Sequence, residues 1–149
     1  MSIIRVTKEF NFEMAHALAN YDGACKNIHG HSYKLFVTVI GEPSGKTADP
    51  KLGMLIDFGD LKQIVVKSIV NVFDHAFVLY NQSGFVYEKN QHEMFSNTIY
   101  VDYQPTCENL VADFAYRIKD ILPSQCSLFS LRLYETETSY AEWFASDNA

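Results

Sequence analysis

The sequence predicts an α+β domain: an antiparallel four-stranded sheet with two helices on one face, in the chain order strand, strand, helix, helix, strand, strand. Three observations predict it. Apolar and polar residues alternate over long stretches at both ends of the chain. Between these, two stretches repeat their apolar residues at helical spacing. An irregular insert separates the two helical stretches, and no linker or repeat divides the 149 residues, which fit one domain spanning 1–149.

The first strand is read from Ile4 to His16. Ile4, Val6, Lys8, Phe10, Phe12, Met14 and His16 share one parity, and Thr7, Glu9, Asn11 and Glu13 the other. This is a half-buried strand whose last inward position is a histidine. A histidine there is either a hydrogen-bonded residue at a strand end or a ligand. Asn20, Asp22 and Gly23 mark a loop that returns the chain to Cys25. The second strand runs from His29 to Ile40, with His29, His31, Tyr33, Leu35, Val37 and Val39 on one face.

The segment Gly41-Glu-Pro-Ser-Gly45-Lys46-Thr47 resembles a phosphate loop but is one residue short of that pattern, and it runs into Ala48-Asp49-Pro50 rather than a helix. Without a helix N-terminus the phosphate-binding physics is absent, and the segment reads as a hairpin turn. Asp57 then offers an N-cap, and Leu61, Ile64, Val65, Ile69, Val72 and Phe73 form the buried stripe of the first helix. That helix is expected to stop near Asp74-His75, a dipeptide that reads equally as a polar helix terminus or as a catalytic pair.

Phe77 to Tyr80 reads as a short strand, Asn81 to Gly84 as a turn, and Thr98 to Tyr103 as another short strand. Between them Glu88 to Glu93 is polar, and His92 is read as exposed and not as a ligand. Thr106 follows Pro105 as an N-cap, with Glu108 in the positive first turn. Leu110, Phe114, Ile118 and Ile121 mark the buried stripe of the second helix, and Pro123 stops it. Cys107 reads as a small buried side chain. Ser127 to Thr136 alternates again, with Phe129, Leu131, Leu133 and Glu135 on one face. A carboxylate ending an apolar face is either fraying into solvent or an anchor in a pocket. Ser139 to Phe144 completes the sheet.

Composition narrows the function. Hydrophobic residues make up 48% and charged residues 20%, the balance of a soluble globular protein with enough apolar material for a core. The net charge of −6, with no basic block, argues against a nucleic-acid footprint, so any phosphate recognition must be local. No apolar run approaches the roughly 20 residues of a membrane span, and the N-terminus lacks the apolar run of a signal peptide. Three cysteines without a short-range framework fit a reducing cytoplasm.

The stretch Cys25-Lys-Asn-Ile-His29-Gly-His31-Ser-Tyr33 carries the chemistry. Histidines at i and i+2 project from one face of a strand. If the neighbouring strand ends in His16, three imidazoles can meet. Three histidines leave a fourth zinc position open, the pattern of catalytic rather than structural sites. Cys25 lies close enough in sequence to reach the same pocket, as a base or nucleophile.

Phe12 through His16, Cys25 through His31, Asp57-Phe58, Asp74-His75, Pro105-Thr106 with Glu108-Asn109, and Tyr134-Glu135-Thr136 occur in an order that spans nearly the whole chain. Together they resemble the family of 6-pyruvoyl-tetrahydropterin and 6-carboxytetrahydropterin synthases. The resemblance implies the tunnelling fold, in which subunits join their sheets into a barrel with active sites at subunit interfaces, here as a hexamer of two trimers. It implies Zn2+ on His16, His29 and His31, Cys25 as general base, Asp74 and His75 as its catalytic partners, Glu135 as pterin anchor and Thr106 as a further pterin contact. The spacing Cys-x-x-x-His-Gly-His is similar to the bacterial 6-carboxytetrahydropterin synthases of queuosine biosynthesis, whose implied substrate is 7,8-dihydroneopterin triphosphate. A pyruvoyl-type synthase, a non-catalytic pterin-binding protein of the same fold and a structural zinc module are the competing readings. Met14, and the segment from Tyr80 to Asn97, depart from the family pattern.

Overall fold

The computed structural model describes residues 2–84 and 92–149. Strands β1 (Ile4–His16) and β2 (His29–Gly41) pair antiparallel without a break from Ile4↔Gly41 to His16↔His29. Their inward residues Phe10, Phe12, Met14, Tyr33, Leu35, Val37 and Val39 are buried, as the alternation requires. The loop after Gly41 does not introduce a helix directly. It closes on itself through backbone bonds from Ser44 to Met54 and from Gly53 to Ser44.

The first helix comprises α1 (Phe58–Val65), a π-helical segment (Val66–Val70) and a last turn, α2 (Asn71–Phe73). Asp57 caps it by accepting the Gly59 N–H at 2.6 Å. Leu61, Val65, Ile69 and Phe73 are fully buried. A spacing of four drifts by about 40° per step on an ideal α-helix. The wider π segment turns less per residue and returns the row to the sheet.

The sheet corrects the expected architecture: among the described residues it has six strands, in the order β4-β3-β1-β2-β5-β6, and it is mixed rather than antiparallel. β3 (Ala76–Tyr80) pairs parallel with the end of β1, and β4 (Thr98–Val101) parallel with β3. The reason lies in the helix. The chain leaves β2 at its Gly41 end and returns beside Glu13, where the His75 N–H bonds the Glu13 carbonyl at 2.6 Å. The helix has thus carried the chain along β1, and the next strand continues without reversal.

α3 (Cys107–Ile118) packs on β5 (Cys126–Thr136) and β6 (Ser139–Phe144), and both helices cover the same face of the sheet. Ile121 lies beyond the helix end and is exposed, not part of the stripe. Phe129 is a second correction. The β2–β5 register shifts between Thr38 and Val39, opposite Phe129, so Leu128 and Leu131 are the buried neighbours. Phe129 turns to the polar side, against Phe144 and the Arg5 guanidinium. His92 is exposed, whereas the polar residues from Glu88 to Gln91 lie outside the described residues. Among the described residues, no helix is long and apolar enough to cross a membrane.

Candidate active site

The strand register builds the histidine cluster. His16 is the last inward residue of β1 and pairs with His29, the first residue of β2; His31 follows on the same face. The ligand atoms of the three rings all lie within 4.8 Å of one another.

Hydrogen bonds fix the tautomers. His16 Nδ1 is 2.7 Å from the Pro105 carbonyl, and His29 Nδ1 is 2.7 Å from the Asn27 carbonyl. A carbonyl only accepts, so both Nδ1 atoms carry the proton and donate. Each ring then turns its Nε2 into the cluster, and these two nitrogens face each other at 3.0 Å. His31 Nε2 is buried with no hydrogen-bond partner. Burial, the largest cause, pushes both His16 and His31 below the ordinary imidazole value, which keeps them neutral; the Pro105 carbonyl and Glu135 partly oppose this at His16, and Glu135 at His31. Converging lone pairs without a proton repel each other, and a cation among them removes that repulsion. Nitrogens bound at about 2.0–2.1 Å to a tetrahedral zinc lie roughly 3.3 Å apart, so the donor set fits such an ion.

Beside this cluster lies a cavity of about 330 Å³ lined by His16, Cys25, Thr106, Cys107, Glu108 and Glu135, among others. Cys25 sits in a 3-10 turn (Ala24–Lys26), and its carbonyl accepts the Leu18 N–H at 2.9 Å, which ties the loop to the end of β1. Thr106 caps α3, its hydroxyl accepting the Asn109 N–H at 3.4 Å. Glu135 stands at a bulge, where the β5–β6 register skips it between Tyr134 and Thr136. Its carboxylate lies 3.8 Å from His31 Nε2 and 4.0 Å from His16 Nε2.

Asp74 and His75 lie elsewhere in the chain. The His75 ring borders a second cavity, of about 400 Å³, with Glu13, His31, Ser32, Met94 and Asn97. His75 adopts a left-handed conformation, φ 59°, which is costly for a residue with a side chain. Asp74 Oδ1 accepts the Glu13 N–H at 2.9 Å and lies 3.1 Å from His75 Nδ1. The Glu13 N–H, first, and then His75 hold the Asp74 carboxyl below the usual carboxylate range. Within one chain the structure thus gathers His16, His29, His31, Cys25, Thr106 and Glu135. It places His75, with Asp74 against it, at a separate cavity that His31 also borders.

Three contributors escaped the sequence reading. Pro105 acts through its carbonyl, which no side-chain pattern reveals. Cys107 is not only a packing group: it lines the cavity, donates to the Leu133 carbonyl at 3.2 Å, and has its thiol pushed up to about 12 by burial. Tyr33 is buried, with its hydroxyl 3.5 Å from Glu135 Oε2. Its shared parity with His29 and His31 was the available signal.

The mixed sheet, the helices on one face and three converging imidazoles beside a side-chain-lined cavity define an α+β protein built around a metal-type histidine cluster. The family model for 6-pyruvoyl tetrahydropterin synthase matches residues 5–146, and the chain belongs to that family. It is 39% identical over 147 residues to the 6-carboxy-5,6,7,8-tetrahydropterin synthase of Haemophilus influenzae, covering 95% of this chain and 99% of that one. The protein of the same name from Rickettsia typhi is 28% identical over 94% of this chain and 99% of that one. Among solved structures, protein WS1659 from Wolinella succinogenes superposes with a TM-score of 0.80 at 20% identity, covering 97% of this chain and 99% of that one. The 6-pyruvoyl tetrahydropterin synthase of Caenorhabditis elegans gives 0.70 at 22% identity, with 97% of both chains covered. These two likenesses establish the fold.

Proposed function

We propose that this chain is a zinc-dependent 6-carboxy-5,6,7,8-tetrahydropterin synthase. It takes 7,8-dihydroneopterin triphosphate and water to 6-carboxy-5,6,7,8-tetrahydropterin, acetaldehyde and triphosphate. One observation carries the reading: three imidazoles whose ligand atoms lie within 4.8 Å of one another stand beside a cavity lined by one of them, His16, together with a thiol, Cys25, and a carboxylate, Glu135. The end-to-end similarity to chains named for the carboxy product favours that product over the pyruvoyl one.

His16, His29 and His31 would hold the zinc, which when bound supplies Lewis-acid stabilisation of negative charge on the side-chain oxygens of the substrate. Glu135 offers acceptor oxygens to the adjacent N–H donors of the pterin ring, and Thr106 lies close enough in the cavity to contact it. Cys25 Sγ removes a side-chain proton. The Asp74–His75 pair relays protons, with Asp74 orienting the imidazole through its 3.1 Å contact.

Cys25 and His75 line different cavities of one chain, which supports assembly as part of the reading. The single domain of residues 1–149 forms a hexamer of two stacked trimers, its sheets closing a barrel, and a neighbour's Asp74–His75 completes the pocket of Cys25. Incubation with 7,8-dihydroneopterin triphosphate tests the function. Acetaldehyde and 6-carboxytetrahydropterin are expected in equal amounts, whereas a pyruvoyl pterin with no acetaldehyde overturns the carboxy assignment.

A further inference from the structure

Glu135 faces two competing attractions. In the proposed function its carboxylate must point at the pterin. Yet its oxygens lie only 3.8 and 4.0 Å from the ring nitrogens of His31 and His16, the atoms that would hold the zinc. A carboxylate is a good zinc ligand, and a short rotation would bring it into the open fourth position. There it would block the substrate and leave the pterin donors unmatched.

The only side chain among the described residues that hydrogen-bonds Glu135 is Tyr33, whose O–H donates to Oε2 at 3.5 Å. The Tyr33 ring cannot follow if the carboxylate moves. It is 1% exposed, stacked on Phe12 with ring centroids 5.2 Å apart and planes 5° from parallel, and edge-on to His31 at 5.6 Å. Its hydroxyl, buried in this packing, has Glu135 as its partner, so rotation of the carboxylate toward the metal would strand a polar group. An ionised carboxylate has about four acceptor sites, so Tyr33 uses one and leaves enough for the pterin donors.

We propose that Tyr33 is a positioning residue that holds Glu135 in its pterin-binding orientation and keeps it off the metal. This rests on the function proposed above. The bond is long, which places its worth at the low end for a hydrogen bond to a charged group.

The test is Tyr33→Phe in the full-length, zinc-loaded protein, with cobalt(II) replacing zinc for spectroscopy. The phenyl ring preserves the stack on Phe12. Pterin affinity, measured by calorimetry with the non-hydrolysable probe neopterin, is expected to fall about tenfold. The cobalt absorption bands without pterin are expected to shift as a carboxylate oxygen joins the coordination sphere, and this shift must vanish in Tyr33→Phe/Glu135→Gln. A structural role for the hydroxyl would instead lower melting temperature and metal content together. Unchanged neopterin affinity with unchanged cobalt bands overturns the proposal, as does an equal loss of affinity from Tyr33→Phe in the Glu135→Gln background. If the unaltered protein binds no pterin at all, the functional reading fails. The cobalt spectra then still decide whether Tyr33 restrains Glu135.

Discussion

His16 and His29 turn their Nε2 atoms toward each other at 3.0 Å, because each commits its Nδ1 proton to a backbone carbonyl. That arrangement favours a cation, so removing metal should cost stability. With free zinc about a hundredfold above its dissociation constant, binding contributes about 2.7 kcal/mol, or roughly 5–10 °C in melting temperature for a chain of this size. Calorimetry with and without a chelator checks this, alongside metal analysis. A chelator-insensitive melting temperature and no stoichiometric zinc would remove the metal centre.

Cys25→Ala should lower turnover by about 10²–10⁴-fold, the usual cost of losing a general base. Zinc content and pterin affinity should persist, since Cys25 lies on a separate turn from the three histidines. Single-turnover kinetics on the metal-loaded variant makes the distinction. Near-normal turnover would assign the proton transfer to another group.

Asp74 gives a pH signature. Its carboxyl is depressed in the folded state, first by the Glu13 N–H and then by His75. A depressed carboxylate contributes stability that is fully present above its unfolded value, about 3.9, and is lost as pH falls through the lower folded value. In Asp74→Asn the amide oxygen can still accept the Glu13 N–H, but the charge is gone. The variant should therefore be less stable than the parent at pH 7, and the gap should close as pH falls below about 4. Urea unfolding across pH 3–7 measures it. A gap independent of pH would mean that the charge contributes nothing.

The described sheet leaves β4 and β6 at its edges, with unpaired backbone groups available to a neighbour. Closing sheets across subunits would satisfy them and would supply His75 to the Cys25 cavity. Analytical ultracentrifugation at micromolar concentration should give six times the 17.0 kDa chain mass. A monomer that is fully active would refute both the assembly and the shared pocket.

Much of this was legible because β1 and β2 alternate over thirteen residues each, with one face buried. Such strands announce both their register and their ends, and the ends are where His16, His29 and His31 stand. The caps Asp57 and Thr106 were equally readable, since a short polar side chain before an apolar helical stripe has few other uses. β3 was seen as a strand but not as part of the main sheet. Ala76 to Leu79 are all buried, so no alternation shows which neighbour they pair with, and a parallel partner is a tertiary fact. Phe129 misled for the opposite reason: its parity was clear, and a bulge inverted it. The placement of Asp74 and His75 depends on their pairing beside Glu13, on the polar side of the sheet, which sequence neighbours alone do not disclose.

The unbroken pairing of β1 with β2 makes the apolar core a ruler for the histidine cluster. The distance from His16 to His29 is set by a ladder whose far end, Ile4 against Gly41, lies about 40 Å away. Sliding one strand by a single residue would turn Phe10, Phe12 and Met14 to solvent and bring Glu9, Asn11 and Glu13 into the core. The ladder alone therefore assembles the cluster. A one-residue deletion before Phe10 would be absorbed by the exposed start of β1, whereas one between Phe10 and His16 would displace either the core or the histidine, as surely as replacing it.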